Sequence, residues 1–194
     1  MSELRTSRRI VDAATGLIKV RGYNAFSYQD VSELVGIRKA SIHHHFSTKA
    51  DLGGAVVRQF TAGFGESLEE IDAAHPVALR RIMAFAELAG GLVDRDEMCP
   101  CAMLASEAET LPVALREELR AYYARVAGWL AGNVRRGRED GSVRLGGEAE
   151  DIAQLVLACV QGAAMTARCM KSRTTFDAAM RQLQNLLAGS GAPD

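Results

Sequence analysis

Apolar positions recur along this chain at helical spacing, and no stretch alternates as a strand would. Ile10, Ala13, Ala14, Leu17 and Ile18 mark one side of a first helix, which stops at Gly22. Tyr23 and Phe26 follow in a turn. Ser27, with Asp30 three residues on, forms a capping box for a short second helix with an apolar face of Val31, Leu34 and Val35. Gly36 supplies a sharp turn. A third short helix is predicted from Arg38 to Phe46, anchored inward by Ile37, Ile42 and Phe46. Thr48 and Asp51 make a second capping box. It opens a long helix striped with Leu52, Val56, Phe60, Phe64, Leu68 and Ile71, which His75 and Pro76 close.

The remaining pattern is helical too. A segment from Pro76 to Asp94 carries Leu79, Ile82, Met83, Phe85, Ala86, Leu88, Leu92 and Val93 over more than half its circumference, so it should be central. Cys99 to Glu107 reads as a short helical piece. Leu111 and Pro112 open a long helix with Leu115, Leu119, Tyr122, Val126, Trp129 and Leu130 inward, ending at the Gly-rich stretch 141–147. Thr174, with Asp177 as box partner, is expected to cap a last helix bearing Phe176, Met180, Leu183, Leu186 and Leu187. The tail 189–194 is expected to be loose.

The segment 148–171 is apolar on most sides. Ile152, Leu155, Val156, Cys159, Val160, Ala163 and Ala167 mark one side, and Leu157, Ala158, Ala164 and Met165 mark others. A helix apolar all round must be covered all round. A chain this short has few helices left to do so, and a second copy would. Ala158, Gly162, Ala163 and Ala164 permit its close approach, so the last two helices are read as a homodimer bundle. Gln154, Gln161 and Arg168 interrupt the apolar window, which favours a buried helix over a membrane span.

Charge sharpens the picture only when divided. Residues 1–50 hold eight Lys/Arg against four acids, whereas the rest holds 15 against 20, and the whole chain is −1. That asymmetry suggests a polyanion-binding end on an acidic body. The N-terminus lacks the apolar stretch of a signal peptide. Four cysteines without an export signal point to reduced thiols and a cytoplasmic protein.

The third helix carries the chemistry. Beside its apolar anchors stand Arg38, Lys39, Ser41, His43 and His44, all cationic or hydrogen-bonding, as phosphates and base edges require. Capped helix, Gly turn, basic reader, Thr48–Lys49 and long linking helix together resemble the TetR/AcrR family of bacterial repressors, over residues 7–55. The resemblance implies an all-α fold. A three-helix helix-turn-helix domain (residues 1–50) would be joined by a long helix to an effector-binding and dimerisation domain (51–194). It also implies a homodimer on a palindromic double-stranded operator, released by a small molecule, with no cofactor. By resemblance, Ser27 is a phosphate-touching cap, and Arg38, Lys39, Ala40 and Ser41 form the base-facing start of the reader. His44 is a variable contact and Lys49 a phosphate contact. His43 stands where the family usually has Tyr, which makes that contact pH-dependent if the imidazole charges.

Other constellations are more ambiguous. His43, His44 and His45 point about 100° apart on a helix and cannot converge on one metal. Cys99 and Cys101 flank Pro100 at a helix start. They are either small packing residues or reactive thiols near an effector site, since a zinc site lacks a second paired motif. Phe85, Leu88, Tyr122 and Val126, with Cys101, Met103, Trp129 and Met165, either line an effector pocket or fill the core. Glu107 and Glu109 read as solvated. No phosphate loop, metal-ligand pair or catalytic histidine suggests an enzyme. The leading expectation is a regulator answering an apolar or electrophilic effector. Its alternatives are a cysteine-based redox, electrophile or metal sensor of the same fold, and a helical module or enzyme that binds no DNA.

Overall fold

The computed structural model describes residues 2–189 and is all-α, with no strand among the described residues. Of the tail expected to be loose, residues 190–194 lie outside them. The helices are α1 (Ser2–Arg21), α2 (Tyr28–Val35), α3 (Lys39–His45), α4 (Lys49–Ala74), α5 (Ala78–Val93), α6 (Pro100–Ser106), α7 (Val113–Glu139), α8 (Ala149–Cys169) and α9 (Arg173–Ala188). A 3-10 turn at Ala108–Thr110 joins α6 to the start of α7.

Two compact units emerge. Of the described residues, one unit gathers those up to Gly63 with Cys99–Tyr122, and the other gathers Phe64–Met98 with those from Tyr123 to Gly189. In the first unit α1 packs on α2 and α6, and α2 packs on α3. Its core includes Ile10, Ala14, Ile18, Val31, Ile42, Leu52, Val56 and Leu104, all essentially without solvent contact. In the second unit α5, α8 and α9 pack on one another around Ile82, Phe85, Val156, Val160, Phe176, Met180 and Leu187.

Three expectations from the pattern need correction. Leu34 is exposed (64%), and Tyr28 takes its place on the inner face of α2 with Val31 and Val35. Residues at i, i+3 and i+7 share a helix side, and Leu34 sits off that line. The last helix is capped two residues early, by Ser172, and starts at Arg173 with no side-chain cap bond. Thr174 therefore lies inside the helix and cannot cap it, and Asp177 accepts from Arg173 Nε at 2.7 Å.

The inner arc of α8 is also rotated from the expected one. Leu157 and Ala164 are buried along with Ile152, Val156, Val160 and Ala167, while Leu155, Ala158 and Met165 are exposed. By length and composition alone, α8 is apolar enough to cross a membrane, but its inner arc is packed on α5 and α9.

Candidate nucleic-acid interface

The reader rests on a small set of local bonds. Ser27 is extended and accepts from the Asp30 amide, while Asp30 Oδ2 accepts from the Ser27 amide at 2.8 Å. Both halves of the predicted capping box are therefore formed. The Ser27 hydroxyl, which donates to Asp30 at 2.6 Å, is the main reason that carboxyl is held below its usual range. Gly36 closes α2 at φ 73°, the left-handed conformation that glycine adopts freely. Arg9 donates to the Val35 carbonyl at 2.6 Å and the Ser32 hydroxyl donates to the Ile37 carbonyl at 2.6 Å. Together they tie off the turn between α2 and α3.

One apolar side chain anchors α3. Ile42 has no exposed surface, and burying such a side chain contributes about 1.5–3 kcal/mol. The Tyr28 hydroxyl donates to the Phe46 carbonyl at 2.8 Å and locks the end of α3 to α2. Burial raises the Tyr28 phenol to about 12, so it stays a donor. With Ile42 inward, Arg38, Lys39, Ala40, Ser41, His43 and His44 are all exposed, as is Ser27. The His43 ring lies 4.7 Å from that of Tyr28, and its Nδ1 is 3.4 Å from the Ser47 carbonyl oxygen. His44 Nε2 is 3.4 Å from Glu3 Oε1. The result is one cationic, hydrogen-bonding face on a rigid apolar base.

Lys49 sits differently from its neighbours. Its ammonium donates to the Phe26 carbonyl and lies 4.7 Å and 4.4 Å from the ring centres of Tyr23 and Phe26. Desolvation pulls its pKa below the usual lysine range. Whatever it gives to DNA, it also braces the turn before α2. The second capping box is formed as expected: Thr48 N donates to Asp51 at 2.9 Å and Asp51 N to Thr48 at 3.1 Å.

A family model described as "Bacterial regulatory proteins, tetR family" matches residues 10–56. A second, "Tetracyclin repressor-like, C-terminal domain", matches residues 78–183, more than half of the chain. The chain belongs to the TetR family of bacterial transcriptional regulators. It is accordingly a helix-turn-helix regulator and not an enzyme. A TetR-family regulator from Agrobacterium tumefaciens has the same fold at a TM-score of 0.92 and 34% identity, covering 95% of this chain and 98% of that one. The transcriptional repressor DhaR of Mycobacterium sp. strain GP1 is 24% identical over 91% of this chain and 89% of its own length. AibR, whose crystal structure contains isovaleryl coenzyme A and operator DNA, shares the fold at a TM-score of 0.74 and 21% identity. That match covers 94% of this chain and 97% of AibR.

Within this TetR-family chain the residues expected at an effector site belong to both units. In the first unit Cys101 and Tyr122 are buried and Met103 is half-buried. In the second, Phe85 and Val126 are buried. The Phe85 ring lies 6.1 Å from those of Phe64 and half-buried Trp129. Trp129 Nε1 donates to Asp72 at 3.1 Å, a partner 57 residues away that the pattern did not signal. Leu88 and Met165 are exposed. Their helices turn other faces to the core.

The thiols are not equivalent. Cys99 caps α6, with its Sγ 3.8 Å from the Tyr122 hydroxyl. A hydrogen bond from Cys101 is the largest influence lowering the Cys99 pKa, and burial pushes Cys101 up. Among the described residues, no three His, Cys, Asp or Glu side chains gather to hold a metal. Glu107, read as solvated, is instead bonded to the backbone at the end of α1. Its carboxylate accepts from the Tyr23 amide at 2.7 Å. Nothing local in the sequence signals a contact across 84 residues.

Proposed function

We propose that this chain is a cytoplasmic, homodimeric repressor that binds a palindromic duplex operator through α3 and leaves it when a small apolar or electrophilic effector binds. Residues 1–50 would read DNA and residues 51–194 would bind the effector and the second copy. The observation that carries this reading is the exposed face of Arg38, Lys39, Ser41, His43 and His44 on a base fixed by fully buried Ile42. A helix so presented fits the major groove, where side-chain donors read base edges. The name of DhaR and the DNA-bound, ligand-bound state of AibR support the repressor and effector parts. Replacing Lys39 or His44 should change the preferred operator sequence, at about 1–3 kcal/mol per lost base contact. A reader variant that weakens all duplexes equally would remove the base-reading role.

A second reading keeps the fold and makes the signal chemical. It is favoured by the divergence of Cys99, drawn toward thiolate, from Cys101. In the leading reading the Cys99→Ser/Cys101→Ser variant binds operator and is still released by wild-type inducers. A variant that binds DNA but ignores every such inducer would transfer the signal to the thiols.

A further inference from the structure

The turn that leads into the DNA-reading helices is completed by a carboxylate from far down the chain. Gly22 ends α1 at φ +87°, which turns the next two amides to one side. The Tyr23 and Asn24 N–H groups both donate to Glu107 Oε2, at 2.7 Å and 3.2 Å. Successive backbone N–H groups converging after a left-handed residue form a concave anion site. Here the chain fills that site with its own anion. The fit is close: a Cβ at Gly22 would stand 2.7 Å from Glu107 Oε1. Asn24 Nδ2 donates to Thr110 Oγ1 at 2.7 Å, and that hydroxyl donates to the Glu107 carbonyl at 2.8 Å.

The other end of the same turn is held by the opposite charge. Phe26 O accepts from Lys49, and Ser27, the cap of α2, is the next residue. The turn is thus fixed at its N–H end by an anion from the segment after α6 and at its C=O end by a cation from the start of α4. Of the two residues assigned to phosphate, Ser27 directly follows the turn and Lys49 is bonded to it.

We propose that Glu107, supported by Thr110, is a positioning residue of the DNA-reading head. It joins residues 100–111 mechanically to the turn at 22–26. The inference rests on the reading that this head binds DNA. Glu107 touches no DNA itself. It acts through the turn, and its removal should loosen Ser27 and Lys49 together. By reciprocity, DNA binding should in turn tighten residues 100–111.

The experiment uses the full chain, a duplex enriched by the wild type from a random-sequence library, and hydrogen exchange read by mass spectrometry. In Glu107→Ala the Tyr23 and Asn24 amides should exchange faster, and affinity for the duplex should fall about tenfold or more. Glu107→Gln retains an acceptor oxygen and should recover most of that loss. Duplex binding should slow exchange across 100–111 in the wild type and in Glu107→Gln but not in Glu107→Ala. A merely structural contact would not produce that last difference. Unchanged affinity in Glu107→Ala would overturn the proposal, and so would a wild type whose residues 100–111 do not respond to DNA. Should Glu107→Ala fail to fold, the wild type and Glu107→Gln still decide by the response of 100–111. A wild type that binds duplexes without enriching any overturns the operator reading instead.

Discussion

Met165→Arg should yield a folded monomer that has lost most of its operator affinity. Met165 is 51% exposed on α8, in line with Leu155 (45% exposed), Ala158 and Gly162 on the side away from α5 and α9. A Cβ added at Gly162 would meet nothing within 4 Å, so the chain's own packing does not explain a glycine there. Glycine costs about 1 kcal/mol relative to alanine in a helix, and close approach of another helix is a reason to keep it. On α9, Leu186 is exposed as well (44%). An apolar strip of this kind on a chain whose core is already complete fits a second copy of itself. The introduced guanidinium would put unpaired charge in that seam, while the exposed position spares the chain's own core. Losing the linked second half-site should weaken operator binding by about 10²–10⁴-fold. Sedimentation of Met165→Arg beside the wild type at micromolar concentration tests this. A monomeric wild type, or a variant that still dimerises, would end the assignment of this face.

Lys49→Ala should lower both stability and DNA affinity, and the two losses should be separable. The ammonium donates to the Phe26 carbonyl and covers the faces of Tyr23 and Phe26. Removing a charge-assisted bond and its cation–π contacts should cost about 2 kcal/mol, seen as a lower melting temperature. The phosphate role is read differently: at temperatures where the variant is folded, affinity should fall equally for all sequences, and the salt slope should drop by about one. If melting falls but the slope stays, Lys49 serves only the turn.

The legible parts of this protein are those whose cause lies within four residues. Both N-terminal capping boxes, the Gly36 turn and the inward Ile42 follow from local spacing, and with them came the exposed reader face. What the sequence concealed depends on partners brought by folding. Leu34 looked apolar enough to be buried until Tyr28 took the inner face and bonded Phe46. Thr174 had a well-spaced acid, but Ser172 took the cap position and left Thr174 inside the helix. Glu107 resembled any surface carboxylate because its acceptor role depends on two amides 83 and 84 residues earlier. The effector-site residues are the least legible, since periodicity shows that a residue is apolar but not which neighbour it faces. Leu88 and Met165, both apolar at helical spacing, are exposed in this chain.

The most direct test of the central claim is selection of bound duplexes from a random-sequence library by the wild-type protein. The account predicts enrichment of a palindrome whose half-sites lie on one side of the duplex, spaced by whole helical turns, as two copies of α3 in successive major grooves require. Binding should be specific by about three orders of magnitude or more over unrelated duplex. Equal binding to all sequences, with affinity set by salt alone, would contradict it: α3 would then be a basic surface and not a reader.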